Sequence, residues 1–350
     1  MTQRQIHLMS SIACLTILTG LAWSQSVPRF EVDPSWPKQL PEGWVMGGLG
    51  GVCVDAHDHV FILNRQDVIE GDLNAGKLAP PVIEFDQAGN VVNSWGDNKF
   101  LDPRLHSCAF DKATNIWLDS SPSGMLLQYS HDGSKLLRQI GQKGVLDSSD
   151  GTEKGKPLNS NAAKFFLPSS IFIDATDGNV WVADGEGSNG NRRIMVLDKD
   201  GNFIRQWQPE GTLSTHCMAI SNDGLVYVTD REGGHIQVYD KMGKLLKSIP
   251  VPWTPYTPPA DGKPKANGGA SVAFAFSSDA KQKYMYVINQ NNARIEILER
   301  ESGKNVGHFG RAGNFPGQLA QPHGIAVDSK GNVYVAENRG KRIQRFKVVR

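Results

Sequence analysis

One phrase recurs six times along this chain. An apolar run ending in a polar residue leads through a tight turn into a second apolar run. Gly324-Ile325-Ala326-Val327-Asp328 leads into Val333-Tyr334-Val335-Ala336-Glu337, and Ser170-Ile171-Phe172-Ile173-Asp174 into Val180-Trp181-Val182-Ala183-Asp184. The other copies start at Gly51, Ser107, Cys217 and Val272. A third run follows each pair, as in His235-Ile236-Gln237-Val238-Tyr239, and usually a fourth. β-Branched and aromatic residues suit strands, and Asp/Asn/Gly clusters suit the turns between them. Six four-stranded units at a pitch of about 55 residues predict an all-β fold, a six-bladed β-propeller. The 37 glycines and 19 prolines follow no Gly-X-Y period and fit a chain full of tight turns. No helical period competes after residue 24.

Ring closure is also legible. The sixth copy runs out of chain after its third strand, Arg342 to Val349. Arg29-Phe30-Glu31-Val32 can supply the fourth, which would hide the sheet edges. Residues 25–350 therefore read as one propeller domain.

Residues 1–24 read as a cleaved export signal. Arg4 precedes the apolar stretch from Leu8 to Trp23, and Ala22-Trp23-Ser24 has a small-x-small cleavage pattern. That stretch is too short and interrupted for a stable membrane span. The expected location is periplasmic or secreted. Lys and Arg total 37 against 36 Asp and Glu. This balance gives no basic footprint for nucleic acid. Recognition must come from a local site, and a monomer is expected.

Three cysteines follow the signal, Cys53, Cys108 and Cys217, all inside apolar strand-like runs. Their odd number and the lack of a CxxC argue against a disulfide framework or a zinc knuckle. Buried inert thiols are the favoured reading. One bridge plus one free thiol is the alternative in an oxidising compartment.

The residue before each inner strand is Gly50, His106, Ser169, His216, Val272 and His323 in turn. Histidine thus falls on alternate blades, about 120° apart in a six-bladed ring. Three imidazoles would converge on the axis at the channel mouth. That pattern suits a metal with three nitrogen ligands and an open position, as in catalytic zinc. His57, His59 and His131 lie in turns and are expected to be solvated. His235 and His308 have no place in this pattern. Arg65 and Arg231 end second strands on the same face, where a guanidinium can meet a carboxylate or oxyanion. The equivalent positions elsewhere are Ser121, Gly185, Gln290 and Asn338. Glu186, in the adjoining loop, is a candidate base if its loop folds inward. Long connections at 66–81, 141–167 and 250–269 fall on this face and suggest a lidded site.

These phrases resemble NHL repeats, notably Pro322-His323-Gly324-Ile325-Ala326-Val327-Asp328 and Asp230-Arg231-Glu232-Gly233-Gly234-His235-Ile236-Gln237. Among NHL propellers, the chain looks most like the peptidyl-α-hydroxyglycine α-amidating lyases. The resemblance implies a carbon–nitrogen lyase that splits an α-hydroxyglycine peptide into a peptide amide and glyoxylate. It implies zinc on His106, His216 and His323, with Arg231 as a catalytic arginine and Arg65 as a second one. Three family residues are replaced. A catalytic tyrosine is Glu186 here, a methionine is Gln321, and an acid linked to a structural calcium is Gly324. Calcium therefore lacks its family ligand. The expected function is an exported zinc-dependent lyase of this type, or a relative acting on another small carbinolamide or hydroxy substrate. The expected partner is a small molecule or peptide at the channel mouth. The alternative is a non-catalytic propeller that binds a peptide, glycan or protein. A lactonase-like calcium propeller fits less well, because the key positions offer histidines rather than carboxylates.

Overall fold

A computed structural model describes residues 27–96, 101–102, 104–187, 189–254 and 269–349. The proposed signal at 1–24 and most of the 250–269 connection lie outside the described residues. Six four-stranded antiparallel sheets form the blades of a propeller. Their inner strands are Leu49–Val54, Leu105–Phe110, Pro168–Ile173, Thr215–Ile220, Phe274–Phe276 and Pro322–Val327. Each is followed outward by the second, third and fourth runs expected from the repeat. Outside the blades lie a short parallel pair, Trp44–Val45 with Lys77–Leu78, and a 3₁₀ turn, Glu70–Ala75.

Six hydrophobic clusters occupy the six blade-to-blade interfaces. This explains why the second strands read as continuous apolar runs rather than alternating ones. Along Val60–Asn64, Val60 and Ile62 pack toward the sixth blade. Phe61 and Leu63 point the other way, toward the second. Side chains alternate across a strand, so a sheet covered on both faces needs apolar residues at every position. The outermost strands relax this demand, and Leu136–Ile140 is largely exposed.

The N-terminal strand closes the ring. Arg29–Val32 pairs antiparallel with the last strand, with Arg29 opposite Val349 and Val32 opposite Phe346. Phe30 packs against Phe309 and Tyr286 of the fifth blade, at ring-centroid distances of 4.5 and 5.1 Å. Asp33, just beyond this strand, bonds Arg345 at 2.5 Å.

The cysteines depart from the favoured reading. Cys53 and Cys108 form a disulfide, and Cys217 is free. Their separation of 55 residues equals the blade pitch. The two thiols therefore occupy facing inner strands of adjacent blades, a tertiary relation that counting cysteines did not reveal. Among the described residues, no helix is long and apolar enough to cross a membrane.

Candidate metal centre

Each histidine sits where the inner strand breaks register with its neighbour. In the second blade Leu105 pairs with Ser120 and Cys108 with Leu118, so His106 and Ser107 together face Asp119. In the fourth, His216 and Cys217 face Thr229. In the sixth, Pro322 pairs with Glu337 and Gly324 with Ala336, leaving His323 as the extra residue. Bulges of this kind re-aim a side chain that would otherwise join the alternation of the strand. The opposing residue holds two of these bulges. Asp119 accepts from the Ser107 amide at 2.6 Å and its hydroxyl at 2.8 Å, and the Cys217 amide donates to Thr229 at 2.9 Å. Burial pushes the Asp119 carboxyl up to about 6, against the opposing effect of His106.

In four of the blades, the fourth and sixth among them, the segment entering the inner strand is tied down as well. The last residue of the second strand accepts an amide from it. Asp184 holds Phe166, Asp230 holds Ser214, Glu337 holds Ala320 and Asn64 holds Gly47, at 2.6–2.9 Å. Asp230 is therefore a backbone anchor, while Arg231 pairs with Glu186 and Glu232.

The three imidazoles converge, with ring centroids 4.7, 4.8 and 5.3 Å apart. All three residues are buried. His216 Nδ1 lies 2.7 Å from the Val272 carbonyl, and His323 Nδ1 lies 2.7 Å from that of Gly50. A carbonyl only accepts, so each Nδ1 carries the proton and each Nε2 presents a lone pair to the centre. His216 Nε2 has no partner, nor has either nitrogen of His106. His323 Nε2 has only a 3.4 Å contact from Arg65 Nη2. Burial, the neighbouring His106 and Arg231 hold the His216 pKa well below the usual histidine range. Burial and Arg65 do the same for His323. The free, buried lone pairs of His216 and His323 are donors of the kind a metal requires, and leaving them unpaired is costly. Three nitrogens within 4.8 Å of one another share a centre within about 2.8 Å of each, close to zinc–nitrogen bonds of about 2.0–2.1 Å. The residues present thus fit the group.

Glu186 joins this centre, because its loop folds inward. The Gly185 and Glu186 amides both donate to the Leu167 carbonyl, at 3.0 and 2.9 Å. Gly185 has φ +154°, and a Cβ there would meet the Arg192 amide nitrogen at 2.2 Å. Glu186 Oε2 lies 2.8 Å from Ser121 Oγ and 3.6 Å from His106 Nε2, while Oε1 lies 3.3 Å from Arg231 Nη1. Burial works against its charge, but His106, His216 and Arg231 outweigh it and hold the carboxyl well below the usual range. Ser121 was visible in the sequence only as one of six equivalent positions. Its small hydroxyl, beside arginines at two of the others, was the signal.

Of the long connections on this face, the one at 141–167 is tied to the blades by buried contacts. The 141–167 connection is held by Arg193, which is wholly buried and bonds Asp184 and Asp147, both at 2.9 Å, and the Ser160 and Lys164 carbonyls. A cavity of ≈ 180 Å³ runs along the axis, with the histidines among its lining. His57 is exposed, as expected, but His59 bonds Glu84 at 2.6 Å and His131 bonds Asp55 at 2.9 Å, so these two are not simply solvated. Both histidines remain only about two-thirds covered (31% and 32% exposed), while their carboxylate partners are buried.

Comparisons with known proteins agree with the fold. NHL repeats match at residues 216–239 and 319–346. The chain is 26% identical to NHL repeat-containing protein 3 of Mus musculus, over 96% of this chain and 89% of that protein. It is 20% identical to a probable peptidyl-alpha-hydroxyglycine alpha-amidating lyase of Caenorhabditis elegans, over 87% of this chain and 83% of that one. Among solved structures, a streptogramin B lyase superposes with a TM-score of 0.55 at 14% identity, covering 92% of this chain and 98% of that one.

Proposed function

We propose that this protein is an exported metal-dependent lyase of the peptidyl-α-hydroxyglycine α-amidating type, or a relative acting on another small carbinolamide or hydroxy substrate. One observation carries the reading: three buried imidazoles on alternate blades converge, and His216 and His323 turn unpaired or weakly paired Nε2 lone pairs to the centre. The similarity to a probable amidating lyase supports the choice of reaction. A zinc ion held by His106, His216 and His323 would supply Lewis acidity toward a substrate hydroxyl or carbonyl oxygen.

The chain's own residues do the rest. Arg231 and Arg65 flank the histidines and would hold a substrate carboxylate through charge-assisted hydrogen bonds. Glu186, kept ionised, would accept the proton of the carbinolamide hydroxyl. As the C–O bond becomes a carbonyl, the C–N bond breaks, and the same proton returned to nitrogen gives the amide. The substrate would be a small molecule or peptide reaching the channel mouth. Export fits the Cys53–Cys108 bridge, since disulfides persist in oxidising compartments.

Metal analysis of purified protein and glyoxylate release from an α-hydroxyglycine peptide test this reading together. Stoichiometric zinc and product formation, both lost in His216→Ala, are expected. Metal without turnover of any such substrate would favour a non-catalytic propeller. That alternative draws on Glu186, which stands where the lyase family has a tyrosine and already occupies Arg231.

A further inference from the structure

We propose that Glu186 is a fourth protein ligand to the metal, closing the site in its resting form. This rests on the metal-centre reading above and changes what kind of centre it is.

The distances favour ligation over hydrogen bonding. Glu186 Oε2 is 3.6 Å from His106 Nε2, and Oε1 is 4.0 Å from His216 Nε2. Hydrogen bonds from nitrogen to oxygen span about 2.7–3.2 Å. Two ligands of one tetrahedral ion with bonds of about 2.0–2.1 Å stand about 3.3–3.4 Å apart. One donor atom from each of Glu186, His106, His216 and His323 lies within 4.8 Å of all the others.

The chemistry of the four donors agrees. His216 and His323 present lone pairs, because their protons are committed to carbonyl oxygens. A carboxyl oxygen offers lone pairs to a cation. Acceptors crowded around one volume repel unless a cation lies between them. The arginines do not fill that need. Arg65 and Arg231 make contacts of 3.4 and 3.3 Å at its edge, and the Nε2 atoms of His106 and His216 stay unpartnered.

The carboxylate is also built into place. Ser121 Oγ holds Oε2, the Leu167 carbonyl accepts from the Gly185 and Glu186 amides, and the Gly187 amide donates to Ser214 Oγ at 3.0 Å. An arm fixed at both ends and at its tip fits a ligand better than a solvated side chain.

Cobalt(II) titration of the purified folded protein tests this, read by the visible spectrum of the bound ion and by its affinity. One ion per chain is expected. In Glu186→Gln and Glu186→Ala, affinity should fall more than about tenfold and the spectrum should change as a ligand is lost. Arg231→Ala, which leaves the carboxylate in place, should keep the wild-type spectrum. An unchanged spectrum and affinity in both Glu186 variants would overturn the fourth ligand and leave the three-histidine centre standing. Failure of the folded wild type to bind cobalt or zinc would sink both readings. Circular dichroism of each variant separates these results from misfolding.

Discussion

His216 Nδ1 donates to the carbonyl of Val272, a residue of the next blade, at 2.7 Å. His323 repeats this toward Gly50 across the closure of the ring. Both contacts join the key position of one blade to that of the next, so the packing of neighbouring blades chooses the tautomer. His106 lacks the equivalent bond, and its Nδ1 is unpartnered.

His216→Ala should therefore abolish stoichiometric metal binding while the fold survives, because the lost contacts are few. Metal content by mass spectrometry and a thermal melt check this. Retained metal at wild-type occupancy would contradict the role of His216.

Arg231 should matter most for substrates that carry a carboxylate. Arg231→Ala is expected to lower kcat/KM by about ten- to a hundredfold, the worth of a charge-assisted hydrogen bond. A carboxamide analogue should show a much smaller loss. Arg231→Lys should recover little, since an ammonium cannot reproduce the guanidinium fork.

Arg193 should dominate stability on the histidine face. It is wholly buried between Asp184 and Asp147. Arg193→Met strands both carboxylates and should cost about 3–5 kcal/mol in denaturant unfolding. Adding Asp184→Asn and Asp147→Asn should restore part of that loss.

The Cys53–Cys108 bridge should be found in protein folded under oxidising conditions. Iodoacetamide under denaturing, non-reducing conditions should label Cys217 and neither of the other two. Cys53→Ser should lower stability by about 2–4 kcal/mol, as expected for a bridge between distant residues.

Ring closure should respond to acid. Burial of Asp33 opposes its ionisation, but Arg345 and the Ser35 hydroxyl and amide outweigh it and hold the carboxyl well below the usual range. A depressed folded pKa gives stability that is present above the unfolded value near 3.9 and lost as pH falls toward the folded one. Asp33→Asn should thus cost on the order of 2 kcal/mol at neutral pH. The gap to wild type should narrow below about pH 4. A gap that stays constant down to pH 2 would refute the linkage.

Much of this was legible in the residues. Strand positions followed from apolar runs, because a blade covered on both faces needs them throughout. Arg29–Val32 was identified as the closing strand because the sixth repeat lacks a partner for Arg342–Val349. The convergence of His106, His216 and His323 followed from the repeat register alone. The inward turn at Glu186 was harder to see, because it depends on the Leu167 carbonyl and on a Gly185 conformation that local pattern does not encode. The pairing of His59 with Glu84 and of His131 with Asp55 was missed for a similar reason, since turn residues of different strands and blades meet only in three dimensions.

The sequence by itself determined the blade count, the closing strand and the alternation of the three histidines, because repeat spacing and side-chain periodicity are one-dimensional quantities. Only the tertiary structure decided which nitrogens face the axis, where the Glu186 carboxylate stands and which two cysteines join. Those depend on bulges and on contacts between blades, where residues a blade or more apart in the chain come within hydrogen-bonding or covalent reach.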